Sequence, residues 1–239
     1  MSDTLVIIPT YNEKENIEAI IRAVFSQEKT FDILVVDDNS PDGTSTIVQK
    51  LKEEFSNLFL EVRKEKTGLG TAYIHGFKWA FKKGYDYIIE MDADFSHNPT
   101  DLVRLYNACA KDGADFSIGS RYVNNKINVV NWDFKRLFLS YFASKYVRIV
   151  TRIPIFDTTA GFVCYRRKVL ENIELDKIKF VGYAFQIEMK FKAWKRKFKH
   201  KEVSVIFTDR KEGTSKMSGS IISEAIFGVI KMRLRGLPK

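Results

Sequence analysis

Two aspartates two residues apart, Asp92 and Asp94, follow directly on the apolar segment Tyr87-Ile88-Ile89-Glu90-Met91. Like charges that close repel unless a cation lies between them. A hard divalent ion held by one or two carboxylates and completed by substrate phosphates is the usual solution for Mg²⁺ or Mn²⁺. The same spacing also suits a solvated acidic turn or a helix cap. A second segment, Pro9-Thr10-Tyr11-Asn12-Glu13, places a ring, an amide and a carboxylate after the run Leu5-Val6-Ile7-Ile8. Those groups suit base stacking and ribose binding, and equally a strand-to-helix turn capped by Asn12. A third, Asp37-Asp38-Asn39-Ser40-Pro41-Asp42-Gly43, closes Ile33-Leu34-Val35-Val36. Capping accounts for Ser40 or Asp42 there. It does not account for two adjacent carboxylates at the end of an apolar run.

The elements that must carry these segments alternate along the first half. Continuous apolar runs suit buried parallel strands, here at 5–8, 33–36, 59–62, 87–91 and 114–119. Between them Ile17, Ile20, Ile21 and Val24 recur at helical spacing, in a helix opened by Asn12-Glu13-Lys14-Glu15. Further helices are expected through Ile47–Leu51, Thr71–Lys83 and Asp101–Lys111. Repeated β-α units imply a mostly parallel sheet with helices on both faces, where ligands bind at the carboxyl ends of the strands. The second half is less regular. It predicts helices over Asn131–Thr151, Ala184–Lys195 and Ser220–Arg235, and strands over Gly161–Tyr165 and Val203–Phe207.

Charge divides the 239 residues, which carry a net +9. Residues 1–120 hold 13 basic and 20 acidic residues, a net of −7; residues 121–239 hold 26 and 10, a net of +16. No repeat or linker separates them, so one body with two jobs is expected. With 45% hydrophobic residues the chain is neither disordered nor a disulfide scaffold. Cys109 and Cys164 read as buried small hydrophobes in a reducing compartment. No CxxC or HxxxH spacing suggests zinc, and His75, His97 and His200 read as structural. Met1-Ser2-Asp3-Thr4 runs straight into a strand, so no signal peptide is expected, and no apolar window suits a membrane span. A basic chain could bind nucleic acid. No helix-turn-helix, zinc or RNA-recognition signature appears, however, and the acidic half would repel a phosphate backbone.

Taken together, the three segments resemble the pattern of the family 2 glycosyltransferases. The carriers are Val6–Glu13, Val35–Ser40 and Asp92-Ala93-Asp94. Further segments resemble the dolichyl-phosphate (polyprenyl-phosphate) mannosyltransferases within that family. These are Lys66–Tyr73, Met91–Pro99, Gly119–Val123, Trp132–Arg136 with Ser140, Gly182–Met189, and Asp209-Arg210 with Gly213, Ser215 and Lys216. The chain departs at Asn124-Asn125, where many relatives carry glycines, at Ala160, where Ser or Thr is common, and at Ser96, where some carry a metal-binding Gln.

The resemblance implies an α/β GT-A fold over 1–239, a Rossmann-like mostly parallel sheet with 1–120 the nucleotide-sugar half and 121–239 the acceptor half. It implies mannose transfer from GDP-mannose to dolichyl or another polyprenyl phosphate, with inversion, and a UDP-sugar such as UDP-glucose as the alternative donor. Implied donor-binding residues are Pro9, Tyr11, Glu13, Val36, Asp38, Asp92, Ala93 and Lys216. Asp92, Asp94 and Ser96 would hold Mg²⁺ or Mn²⁺. Arg121, Arg136 and Ser140 would meet the acceptor phosphate, and Asp94, Arg121 and Arg210 would act in catalysis. Arginine suits these places because its fork matches phosphate oxygens. No general base is expected, since a phosphate monoester has a second pKa of about 6.

A lipid acceptor requires access to a bilayer. Phe134–Phe142 and Ser220–Arg235 mix aromatics or aliphatics with cations, as interfacial helices do, although their apolar faces could equally pack on the core. A peripheral protein on the cytoplasmic face of a membrane is expected, with or without a membrane-anchoring subunit.

Overall fold

Leu5, Val6, Ile7 and Ile8 are all wholly buried, because the strand that holds them has a neighbour on each side and helices above and below. The computed structural model describes residues 2–123, 127–130, 134–182, 184–208 and 228–234, without the side chains of residues 135 and 136. In chain order the first half runs β1 (Thr4–Thr10), α1 (Ile17–Phe25), β2 (Asp32–Asp37), α2 (Thr44–Glu54), β3 (Leu58–Val62), α3 (Leu69–Lys83), β4 (Tyr87–Glu90), α4 (Leu102–Ala110) and β5 (Phe116–Ser120). The second half adds β6 (Val129–Val130), α5 (Phe134–Thr151), β7 (Val163–Arg166), α6 (Arg167–Asn172), α7 (Ala184–Lys195), β8 (His200–Ser204) and β9 (Phe207–Thr208). Residues 228–234 are helical.

Seven strands form one sheet in the order β3-β2-β1-β4-β7-β5-β8. All neighbours are parallel except β7, which runs antiparallel to both β4 and β5. Alternate side chains leave a strand on opposite faces, and this alternation builds two cores. Leu5, Ile7, Leu34 and Val36 join Tyr73 and Phe77 of α3 and Phe185 and Phe191 of α7. Val6, Ile8, Ile33 and Val35 join the apolar stripes of α1, α2 and α4. Helices therefore cover both faces, and the sheet is the expected α/β GT-A-like one.

Two glycines of the Lys66–Tyr73 and α3 region are there for close approach. A Cβ at Gly70 would stand 2.7 Å from the Phe185 ring, and one at Gly76 would stand 2.8 Å from Ile7. They let α3 lie directly on β1 and α7.

Several boundaries differ from expectation. The helix expected to open at Asn12 begins at Ile17, since Asn12 adopts a left-handed φ of 60° and cannot cap it. The expected strand Val203–Phe207 is two strands. β8 starts at His200, on the sheet edge where polar residues are tolerated. The chain then leaves the sheet at Val205 and Ile206, and β9 pairs with β6. Of the expected helix Ser220–Arg235, only residues 228–234 lie within the described part. Among the described residues no helix is long and apolar enough to cross a membrane.

Candidate active site

Because β1, β2, β4 and β5 are parallel, their carboxyl ends open on one edge. The first two loops are laced together there. Asp37 is wholly buried and accepts from Thr10 Oγ1 (2.8 Å), Ser40 N (2.9 Å) and Ser40 Oγ (2.6 Å). Ser40 Oγ accepts from Asn12 N (3.0 Å), and Thr44 Oγ1 accepts from Glu13 N (3.0 Å). Asp37 is thus the staple of its turn, which accounts for one of the two adjacent carboxylates. The other, Asp38, is tied back by its N–H to Thr10 O (3.0 Å) and takes the Arg63 Nε–H at 2.6 Å. Tyr11 lies on the neighbouring loop with the Lys66 ammonium 4.2 Å from its ring centre. Pro9 and the buried Val36 form the strand ends beneath.

The third loop carries Asp92-Ala93-Asp94. Met91 N continues the ladder to Ile7 O (3.1 Å). Asp92 N donates to His97 Nδ1 (3.0 Å), Tyr73 OH donates to Asp92 Oδ1 (3.3 Å), and Ser96 N donates to Asp94 Oδ1 (3.1 Å). Each of the three loops contains one non-glycine residue in the left-handed region: Asn12, Asn39 and Phe95, the last at φ 59°. Asparagine tolerates this region and phenylalanine does not, so the aspartate turn holds local strain of the kind that gathers at functional sites.

This turn fits a hard cation. Two carboxylates stand two residues apart, and Ser96 Oγ is buried without a hydrogen-bond partner among the described residues. No group of three His, Cys, Asp or Glu side chains gathers among the described residues. An ion at this turn would therefore complete its shell with Ser96, water or substrate oxygens, as Mg²⁺ and Mn²⁺ do.

Behind the turn lies a buried polar chain. Gln186 Nε2 donates to Glu90 Oε2 (3.1 Å), and Lys190 Nζ donates to Gln186 Oε1 (3.2 Å) and Ala160 O (2.6 Å). Burial pushes the Glu90 carboxyl up to about 8 and the Lys190 ammonium down to about 8. The chain joins the end of β4 to the segment before β7.

That segment holds Arg121, which follows β5. Its N–H and Nε–H donate to Asp157 Oδ2 (2.9 and 2.7 Å). Its Nη2 donates to Asp157 Oδ1 (2.6 Å) and Thr159 Oγ1 (2.8 Å). Burial alone would raise the Asp157 carboxyl, but the charge and hydrogen bonds of Arg121 together outweigh it and hold the group below its usual value. Next to Arg121, Tyr122 OH donates to Ser140 Oγ (2.9 Å), which brings α5 to the same edge. Arg136 lies one turn earlier on α5, with its side chain outside the described part. Arg210 and Lys216 lie outside the described residues.

The structure thus brings Pro9, Tyr11, Glu13, Val36, Asp38, Asp92, Ala93, Asp94 and Ser96 to one strand edge, with Arg121 and Ser140 at the same edge. Sequence reasoning gave no role to Arg63, Tyr73, Asp157 or Lys190. Arg63 follows β3, and no local signal in the sequence brings that strand end to Asp38. His97 was read as structural, and it is a brace of the aspartate turn.

A mostly parallel α/β sheet with an Asp-Ala-Asp turn at its carboxyl edge defines a GT-A glycosyltransferase, and the chain belongs to Glycosyl transferase family 2, whose family model matches residues 5–174. Within it the chain resembles polyprenyl-phosphate mannosyltransferases. It is 46% identical over 234 residues to the polyprenol monophosphomannose synthase of Mycolicibacterium smegmatis, covering 98% of this chain and 88% of that one. It is 41% identical over 230 residues to the undecaprenyl-phosphate mannosyltransferase of Micrococcus luteus, covering 96% and 93%. Two solved structures share the fold. Glucosyl-3-phosphoglycerate synthase from Mycobacterium tuberculosis, in complex with Mn²⁺, UDP and phosphoglyceric acid, superposes with a TM-score of 0.72 at 15% identity, covering 99% of this chain and 79% of that one. A mannosyltransferase from Pyrobaculum calidifontis, in complex with GDP-Man and Mn²⁺, gives 0.66 at 19% identity, covering 99% and 65%.

Proposed function

We propose that this glycosyltransferase moves mannose from GDP-mannose to a polyprenyl phosphate of the dolichyl or undecaprenyl kind. The observation that carries the reading is near-full-length similarity, at 46% and 41% identity, to two enzymes named for mannose transfer to such lipids. Supporting it, Asp38 and the Asp92-Ala93-Asp94 turn lie at one strand edge, with Arg121 and Ser140 beside them.

Tyr11, Glu13, Pro9, Val36, Asp38 and Ala93 bind the nucleoside. Asp92, Asp94 and Ser96 hold Mg²⁺ or Mn²⁺, which offsets the diphosphate charge when bound. Arg210 and Lys216 supply further positive charge from the second half. Arg121, aimed by Asp157, faces the acceptor phosphate with Arg136 and Ser140. The phosphate is already ionised near neutral pH, so these residues need only align it for attack and no side chain takes its proton. In-line attack inverts the anomeric carbon.

The acceptor is confined to a bilayer, and α5 offers a surface for one. Phe134, Phe138 and Phe142 are 74%, 55% and 53% exposed. Their rings stack at i, i+4 spacing, 6.4 and 5.7 Å apart. An aromatic ridge beside Lys145 and Arg148 suits an anionic membrane surface. The protein then works as a peripheral one on the cytoplasmic face, alone or with a membrane-anchoring subunit.

The test is a radiolabelled GDP-mannose assay with a polyprenyl phosphate, with and without Mg²⁺ or Mn²⁺, and with UDP-glucose as the competing donor. Label in the lipid phase from GDP-mannose, dependent on metal and β-linked by NMR, is expected. Transfer from UDP-glucose alone would overturn the donor assignment, and an α-linked product the inversion.

A further inference from the structure

Arg63 is the first residue after β3, the edge strand beside β2. The register sets Val62 opposite Asp37, and Arg63 N donates to Asp37 O at 2.8 Å. The guanidinium is thereby delivered to Asp38, where Nε donates to Oδ1 at 2.6 Å. On its other side Nη1 donates to Thr71 Oγ1 at 2.8 Å, and Thr71 donates to Gly68 O at 2.6 Å. The group is clamped between the end of β2 and the first turn of α3. One nitrogen is left over: Nη2 is buried and has no hydrogen-bond partner among the described residues. In the planar guanidinium, Nη2 shares with Nε the edge turned toward the Asp38 carboxylate. No described residue donates to Asp38 Oδ2. A buried donor without a partner is costly and calls for an explanation. Here it stands beside a charged acceptor, next to the loop that carries Tyr11.

We propose that Arg63 is a specificity-determining residue for the nucleobase: with Asp38 it reads a lactam edge, a C=O beside an N–H, and so selects guanine over adenine. The inference rests on the nucleotide-sugar reading above. Arg63 Nη2 donates to guanine O6, and Asp38 accepts from guanine N1–H. Adenine in the same pose presents the reverse order, an amino group to Nη2 and a lone pair to the carboxylate, so both contacts become unfavourable. Uracil has a lactam edge as well, but lacks the 2-amino group that gives guanine a further hydrogen bond to a carboxylate. Arg63 touches neither the sugar nor the acceptor in this arrangement; it sets which nucleotide is held.

The experiment is calorimetric titration of GDP, UDP and ADP, each with Mg²⁺, into the full chain and its variants Arg63→Met, Arg63→Lys and Thr71→Val. Wild-type chain is expected to prefer GDP over ADP. In Arg63→Met, GDP affinity falls roughly tenfold to a hundredfold and the preference over ADP shrinks by a similar factor. Thr71→Val loosens the clamp but keeps Nη2, so any loss is shared by all three nucleotides and the preference survives. If Arg63→Met does not fold, Arg63→Lys carries the test, since lysine keeps the charge beside Asp38 but has no fork, and the preference must still drop. Equal weakening of all three nucleotides in the Arg63 variants, or an unchanged GDP-to-ADP ratio, overturns this inference alone. A wild-type chain that binds none of the three overturns the nucleotide reading and this inference with it.

Discussion

The backbone N–H of Asp92 is held by the ring of His97, five residues further along, at 3.0 Å from Nδ1. The ring lies flat on Phe162, centres 4.7 Å apart at 12°, and is buried. Burial holds the imidazole below its ordinary pKa, so the neutral ring can accept at Nδ1. The first aspartate of the turn is therefore fixed through its backbone by His97, while Tyr73 OH donates to its carboxylate.

His97→Phe keeps the stack and removes the acceptor. The net worth of such a bond is about 1 kcal/mol. Roughly fivefold lower kcat/KM, with a higher metal concentration at half-activity, is expected from steady-state assays across a Mn²⁺ series. His97→Asn, which retains an acceptor, should recover part of the loss.

Asp92→Asn with Asp94→Asn removes both charges from the strained turn. Wild-type protein with GDP should gain stability when Mn²⁺ is added, about 2.7 kcal/mol at a hundred times the dissociation constant. Thermal melts of the double variant should show no such gain, and lipid mannosylation should vanish. A retained Mn²⁺ shift would remove these residues from the metal site.

The Arg121–Asp157 pair is almost wholly buried, with side chains 8% and 0% exposed. Breaking such a pair costs about 3–5 kcal/mol, because one charge is left without its partner. Asp157→Asn should therefore lower stability by about that amount in urea titration. The pKa of Asp157 is depressed on folding, so its stabilisation is present above the unfolded carboxylate value of 3.8 and is lost as pH falls below it.

Glu90 has the opposite sign. Its folded pKa is raised from 4.5 to about 8 by burial. Its contribution is complete below the unfolded value and is lost as pH climbs toward the folded one. Stability should decline by on the order of a few kcal/mol between those two values. Glu90→Gln, neutral throughout, should remove that part of the slope in chemical denaturation at pH 5, 6.5 and 8. Lys190 acts elsewhere: its pKa is lowered from 10.5 to about 8, so its effect rises with pH only above that range.

Replacing Phe134, Phe138 and Phe142 by Ser should reduce binding to anionic vesicles at least about tenfold, since fully burying each ring is worth about 1.5–3 kcal/mol. Transfer to a short-chain, water-soluble polyprenyl phosphate should persist. Loss of both activities together would mean that the ridge packs for folding instead.

The central strands and the aspartate turn were legible in the sequence because their signal is local. Leu5–Ile8 and Ile33–Val36 are apolar runs, and Asp92 and Asp94 follow one. What stayed hidden depends on register between distant segments. Nothing near Arg63 in the chain announces Asp38, 25 residues away, and Arg121 finds Asp157 over 36. The end of β8 was missed for a similar reason. Val205 continues the apolar pattern, but its N–H bonds Ser120 O as the chain turns off the sheet.

The antiparallel β7 has a consequence for how this chain is made. It lies between β4 and β5, though both precede it in the chain by many residues. A chain emerging from the ribosome can pair β1 to β4 early, but β5 has no place in the sheet until Val163–Arg166 has been synthesised. Until then β4 presents a bare edge of unsatisfied backbone groups, which other nascent chains can pair with. A pause in translation before Val163–Arg166 has left the ribosome would prolong this vulnerable stage.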